Sequence, residues 1–258
     1  MALLQRLSNA THRLFSEAPR PSLEDGIRVQ WIRRDDAAFL ADCFPRAAVA
    51  PPRGDQADRI EALARQTQAL GAQPLWDGYA GHNRGGATRT SDDVRTAEAT
   101  GNAYTELVRR RRPDIVVEFG TAFGVSGMYF LAGLEANGHG ALYTFEPNAV
   151  WAAIARDNLR RIGERFRLTV GTFESRVDDV LPPGGRIDLA FIDAIHTRDF
   201  VLPQLEIVLA RSAPGAIIIL DDIDFSDDMR ACWHEVAHDP RFCASLALGG
   251  RVGLVELR

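Results

Sequence analysis

From Ser91 onward the chain alternates short, almost unbroken apolar runs with longer stretches that are apolar at every third or fourth position. The runs predict strands at Ile115–Phe119, 141–145, 166–171, Ile187–Ile192 and 216–220. The stretches between predict helices over 126–136, 149–162 and 200–211, and Ser226 is the expected cap of one more. Strands apolar on both faces and separated by helices imply a parallel sheet covered on both sides, a doubly wound α/β architecture. The end departs from that rhythm, because 243–248 and 251–257 flank Gly249-Gly250, a hairpin signal. The sheet is therefore expected to finish antiparallel.

Before residue 90 the pattern is different. Ile60, Leu63, Thr67 and Leu70 follow a helical spacing that stops at Gly71, and 74–90 is rich in Gly, Asn and aromatics without any period, which reads as a loop. Ordered loops of that length are often functional. Ser91 is the expected cap of the next helix, with Asp92 and Asp93 in its first turn. The chain thus divides into an N-terminal helical and lid region, 1–90, and an α/β domain, 91–258. The opening MALLQRLSNATHRLF mixes Leu with Gln, Arg and Asn, an amphipathic helix rather than a secretory signal. A homodimer through the amino-terminal helices is an expectation without a strong heptad behind it.

Composition narrows the classes. At 258 residues there is room for one large α/β domain with an appendage. No apolar run approaches the roughly 20 residues that span a bilayer, so no membrane partner is expected. Three widely spaced cysteines, Cys43, Cys232 and Cys243, suit reduced thiols and a cytoplasmic location. A net charge of -5 argues against a nucleic-acid partner, and the four arginines of 109–112 read as a helix end before Pro113, where cations complement the dipole.

The chemistry is carried by strand ends. In an open α/β sheet the ligand sits beyond the carboxyl ends of the strands. In EFGTAFGVSG, Glu118 closes the first of these strands, and Gly120, Gly124 and Gly127 remove Cβ atoms where a ligand approaches. The spacing is not GxGxxG and the acid comes first, which suits a ligand bearing an ammonium better than a nicotinamide. In YTFEPN, Glu146 ends the next strand, where one carboxylate takes both hydroxyls of a ribose. Asp193 closes a later strand and Asp221-Asp222 the one after it. Three uncompensated carboxylates in one cleft demand a cation or raised pKa values, and hard oxygen ligands suit Mg²⁺. The alternative is that Asp222 and Asp224 cap the following helix while Asp193 orients a cofactor. His196 is either a general base for a hydroxyl proton or a histidine bonded to a loop carbonyl.

On these motifs the sequence resembles, over 91–258, the class I methyltransferases that use S-adenosylmethionine. The resemblance implies a Rossmann-like sheet of seven strands ending in the hairpin. It also implies that Gly120, Thr121, Ala122, Gly124 and Ser126 line the methionine and sugar portions, that Glu146 takes the ribose, and that Thr172, Phe173 and Glu174 lie near the adenine. The 28 positions from Asp193 to Asp221 are similar to the metal-dependent catechol-type and antibiotic-sugar O-methyltransferases. The catechol-type enzymes carry Asn at the position of Asp222 and a catalytic Lys at that of His196. The resemblance implies an O-methyltransferase of secondary metabolism acting on a hydroxyl of a small metabolite, with Mg²⁺ held by Asp193, Asp221 and Asp222 and with Asp193 and His196 catalytic. A metal-independent enzyme and a non-catalytic cofactor-binding partner subunit are the competing readings. In the 74–90 loop, Trp76, Tyr79, His82, Arg84 and Arg89 are candidates to close over the acceptor. Met229 and Trp233 read as core, and His234 and His238 as a solvated helix face.

Overall fold

Ile115–Phe119 is buried at all five positions, and the sheet is wound outward from it. The computed structural model describes residues 26–79, 87–193 and 195–258. Ahead of that strand come β1 (Ile27–Arg33), α1 (Phe39–Cys43), β2 (Ala48–Val49), α2 (Ala57–Gln68), β3 (Gln73–Pro74), β4 (Thr88–Arg89), α3 (Ser91–Val94) and α4 (Glu98–Arg111). Ile115–Phe119 is β5, and after it come α5 (Val125–Asn137), β6 (Ala141–Glu146), α6 (Ala149–Arg160), β7 (Phe166–Val170) and α7 (Phe173–Val180). The remainder is β8 (Ile187–Ile192), α8 (Arg198–Leu209), β9 (Ser212–Leu220), α9 (Asp227–His238), β10 (Phe242–Leu248) and β11 (Val252–Leu257).

The main sheet runs β2-β1-β10-β11-β9-β8-β5-β6-β7. Strands β5 to β9 are parallel, and β11, β10, β1 and β2 continue antiparallel from β9. Alternate residues of the parallel strands feed two separate cores. Val116, Leu142, Leu189, Phe191, Ile217 and Ile219 pack with α2, α4 and α5, whereas Val117, Phe119, Ala190, Ile192, Ile218 and Leu220 pack with α7, α8 and α9. Each such aliphatic side chain contributes about 1.5–3 kcal/mol by leaving water, which is why these strands are apolar on both faces.

The seven strands expected from the sequence are present, and β1 and β2 lengthen the sheet to nine. Both come from the region expected to be helical. In β1, Ile27 and Val29 are buried while Arg28 and Gln30 face water, a period-2 signal only four residues long, and Val29 pairs with Leu248 of β10. The helix cap also differs. Thr90, not Ser91, stands at the cap, its N–H donating to Asp93 Oδ2 at 2.7 Å, and Ser91 is buried. The helical stretch before β5 is in fact two helices, because Arg95 to Ala97 are not helical. Of the 74–90 loop, β3 and β4 pair with each other. His82, Arg84 and the amphipathic helix expected at the start of the chain lie outside the described residues.

The arginines of 109–112 are spent on contacts at a helix end. Arg109 pairs with Glu106 at 3.1 Å, Arg110 with Asp42 at 2.5 Å, and Arg111 donates to the Gly215 carbonyl at 3.0 Å. Cys43, Cys232 and Cys243 are free thiols. None of the described helices is long and apolar enough to cross a membrane.

Candidate active site

Beyond the carboxyl end of β5 the chain turns sharply, with Ala122 at φ 47° and Gly124 at φ 86°. The N–H groups of Gly120 and Thr121 both point to the Phe145 carbonyl, at 3.1 and 3.2 Å, which ties the turn to β6. Gly124 opens α5, and a Cβ there would stand 3.2 Å from the Ala155 Cβ of α6. A Cβ on Gly127 would meet Glu118 Oε2 at 2.9 Å. The glycines thus serve backbone conformation and the close packing of helices on strands.

Glu118 lies beneath this turn with no solvent exposure, its carboxylate accepting from Ser126 Oγ and Thr144 Oγ1, each at 2.6 Å. Thr121, also buried, shares a hydrogen bond with the Thr144 hydroxyl. Burial pushes the Glu118 carboxyl up to about 7, against the pull of the two hydroxyls. Glu146, at the end of β6, accepts from the N–H of Ala122 at 2.8 Å and of Asn148 at 2.9 Å. Burial raises it to about 7 as well, with those backbone bonds opposing.

A cavity of about 240 Å³ opens over these strand ends. Gly120, Ala122 and Glu146 line it together with Asp193, His196 and Asp222 from the β8 and β9 ends. Tyr79, Arg89, Trp151, Phe225 and Arg251 also stand in its wall. A narrow adjoining crevice shares Gly120, Ala122 and Asp193 and touches Thr121 and Ser126. Glu118, Gly124, Thr172 and Phe173 line neither. Phe173 instead stacks in the core, its ring centroid 3.7 Å from that of Phe119, and Thr172 bonds Ser175 at 3.0 Å.

Of the three carboxylates expected to meet, Asp193 and Asp222 line the cavity, whereas Asp221 is buried and does not. His196 Nε2 lies 3.3 Å from Asp222 Oδ2 and 3.7 Å from Asp193 Oδ1. Asp222 holds a left-handed φ of 52°, a conformation Asp adopts more readily than most residues and one concentrated at functional sites. Burial, then the charges of Asp221 and Asp222, push the Asp193 carboxyl well above its usual range. Asp222 is raised by burial and by Asp221, while His196 and Arg251 pull it back.

Sequence reasoning missed Arg251 and Phe225. Arg251, in the β10–β11 turn, donates from Nε and Nη2 to Asp221 at 3.2 and 3.0 Å, and its Nε stands 2.8 Å from Asp222 Oδ1. Burial works against its charge, but Asp221 and Asp222 outweigh that and hold its pKa above the ordinary value. The available signal was the Gly249-Gly250 turn, which carries the next residue back to the β9 end. Phe225 is 64% exposed for a large aromatic, with its ring 5.4 Å from that of His196. Trp233 packs over Gly253, Met229 is buried, and His238 Nδ1 is satisfied 2.7 Å from the His234 carbonyl.

These donors do not fit Mg²⁺ as they stand. Among the described residues no group of three His, Cys, Asp or Glu side chains is arranged to hold a metal ion. Both carboxylate oxygens of Asp221 and Oδ1 of Asp222 already receive a guanidinium. A dication 4 Å from that guanidinium would be repelled by roughly 8 kcal/mol at an effective dielectric of about 20.

Residues 117–223 match the family described as a methyltransferase domain. A catechol O-methyltransferase of Mycobacterium tuberculosis (strain ATCC 25618 / H37Rv) is 37% identical over 112 residues, 42% of this chain and 47% of that protein. The match therefore spans about half the length of that curated relative. Among solved structures, cofactor-bound Rv0187 from MTB superposes with a TM-score of 0.60 at 21% identity, covering 78% of this chain and 90% of that one. The O-methyltransferase from Bacillus cereus in complex with SAH gives 0.57 at 18% identity, covering 85% and 96%. The domain match takes in the strand ends that carry Glu118, Glu146, Asp193 and Asp221, and the chain shares its fold with both of these solved structures.

Proposed function

We propose that the protein methylates a hydroxyl of a neutral small molecule with an apolar body, with His196 as general base. The observation that carries this reading is the placement of His196 between Asp193 and Asp222, beside the exposed Phe225 ring, on a cavity that also reaches Glu146. The two carboxylates complement the positive charge the imidazole acquires on taking a proton. Because Nε2 faces them, a hydrogen on that nitrogen is held there, and Nδ1 is left to accept the hydroxyl proton. Glu146, held at the end of β6 by two backbone N–H groups and lining the cavity, takes the ribose hydroxyls of the donor in this reading.

Bound S-adenosylmethionine supplies an electrophilic methyl: the acceptor oxygen's electron pair forms the new O–C bond while the C–S bond breaks with its pair on sulfur. Most of the rate then comes from alignment of the two reactants and from proton removal. Among the described lining residues four carboxyl groups, Asp93, Glu146, Asp193 and Asp222, stand beside two guanidiniums, Arg89 and Arg251, so the wall is no cationic cradle for an anionic acceptor. Phe225, Tyr79 and Leu75 give that acceptor an apolar surface.

The test is methyl transfer from labelled donor to a panel of neutral phenols, catechols and polyols, each beside its carboxylated analogue. His196→Ala is expected to lower kcat by about 10²–10⁴ while S-adenosylhomocysteine still binds. Equal turnover by wild type and His196→Ala removes the base; a preference for carboxylated acceptors removes the neutral-substrate reading.

A further inference from the structure

We propose that Arg251 is the resident cation of the acceptor site and stands where a divalent metal would otherwise be required. The inference rests on the methyltransferase reading and adds the identity of the positive charge that works on the acceptor oxygen.

Asp193, Asp221 and Asp222 come from two adjacent strand ends and feel one another's charge, and a nearby cation lowers the cost of keeping such carboxylates ionised. Arg251 delivers one. Its Nε–Nη2 edge meets Asp221, and Nε also faces Asp222, so one planar group engages two acids in the geometry a guanidinium favours.

The placement is built into the backbone. Gly249 and Gly250 take φ of 60° and 78°, the Arg251 N–H closes the turn on the Leu248 carbonyl at 3.1 Å, and the Arg251 carbonyl receives the Ile223 N–H at 2.9 Å. That last bond joins the hairpin tip to the loop leaving β9, the loop that presents Asp221 and Asp222. The turn that carries Arg251 and the loop that carries the two acids are therefore fixed relative to one another by main chain.

Half of the Arg251 side chain stays exposed, and it lines the same cavity as His196 and Phe225. Nη1 has no partner among the described residues. A guanidinium carries five N–H donors, and those on Nη1 remain for the acceptor. Donated to the reacting oxygen, they stabilise the negative charge that grows as His196 takes the proton. A guanidinium acidifies a hydroxyl less than a dication does, which is consistent with a base standing next to it.

The test uses Mn²⁺ as the probe, monitored by electron paramagnetic resonance on the full chain, with S-adenosylhomocysteine binding measured by calorimetry on the same samples. Wild type is expected to bind S-adenosylhomocysteine and to take up no Mn²⁺ at equimolar, sub-millimolar concentrations. Arg251→Ala frees Asp221 and Asp222 to turn towards Asp193 and is expected to gain one Mn²⁺ site, tightened on the order of a hundredfold or more. Arg251→Lys keeps the charge and is expected to gain none. Arg251→Gln, closer in length, replaces the alanine variant if truncation prevents folding. Stoichiometric Mn²⁺ on wild type overturns the inference, and so does an Arg251→Ala or Arg251→Gln protein that binds S-adenosylhomocysteine yet ignores Mn²⁺. A wild type that binds no S-adenosylhomocysteine defeats the methyltransferase reading instead, so the two failures are told apart.

Discussion

Glu118 is a carboxylate with no solvent exposure whose partners are two neutral hydroxyls, so nothing near it supplies the positive charge its ionised form would need. Its folded pKa, about 7, lies above the ordinary 4.5. A raised acid keeps its proton longer in the folded state than in the unfolded one, so between about pH 4.5 and 7 the native protein binds more protons and stability falls as pH rises. Across that window the loss is about 3 kcal/mol for this one group. Glu118→Gln keeps the shape and cannot ionise. The variant is expected to be more stable than wild type at pH 8, with the difference closing towards pH 5, measured by urea unfolding at both values. A variant that is less stable at pH 8 shows that the charged form is well compensated, and the burial cost assigned to Glu118 is then absent.

At the scale of elements, what the sequence made legible was what local pattern controls. The apolar runs of β5 and β8 are nearly continuous, so their ends, and hence Glu118 and Asp193, could be placed by reading alone. Arg251 was invisible because a turn arginine looks like any solvated cation until the hairpin is folded back on β9. Phe173 is expected near the adenine because it comes just after β7, whereas the helical spacing of Phe173, Val177 and Val180 buries it in the core. Contacts that tie distant elements were equally silent. Asn148 caps α6 by accepting from the Val150 and Trp151 N–H groups, and its Nδ2 donates to the Pro74 carbonyl at 2.7 Å, anchoring the strand from which the 74–90 loop departs. Asn148→Ala loses both functions and is expected to cost about 1 kcal/mol in thermal unfolding. Asn148→Asp retains the cap, adds a favourable charge at the helix N-terminus, and loses only the donor. Its expected signature is near-normal stability with a raised KM, since the cavity wall formed by Leu75 and Tyr79 loses its tether. Equal behaviour of the two variants in both assays leaves the cap without a contribution and assigns Asn148 to the Pro74 tether alone.

The whole molecule is less divisible than its sequence suggests. A boundary at residue 90 separates a helical region from an α/β domain on paper, but β1 covers the edge of β10 through the pairs Val29–Leu248, Gln30–Ala247, Trp31–Leu246 and Arg33–Ser245. Side chains bind the same two parts. Arg33 donates to the carbonyls of Asp239, Phe242 and His238 at 2.6, 2.7 and 2.9 Å, closing the end of α9. The buried Glu256 of β11 accepts the N–H groups of Phe39 and Leu40 at 3.0 and 2.8 Å. A fragment of residues 91–258 leaves Glu256 buried without those donors, or opens it to water, and bares an apolar strand edge that is a template for intermolecular pairing. That fragment is expected to elute as aggregate in size-exclusion chromatography. Adding Glu256→Gln to it should recover little, because the open edge of β10 remains. A monodisperse 91–258 fragment that binds S-adenosylhomocysteine as the full chain does would restore the two-part division. The same pairing bears on the proposed site, because Gly249 donates its N–H to the Arg28 carbonyl at 2.8 Å, so β1 also steadies the turn from which Arg251 reaches the carboxylates. In this sense β1 supports the proposed acceptor site without lining it.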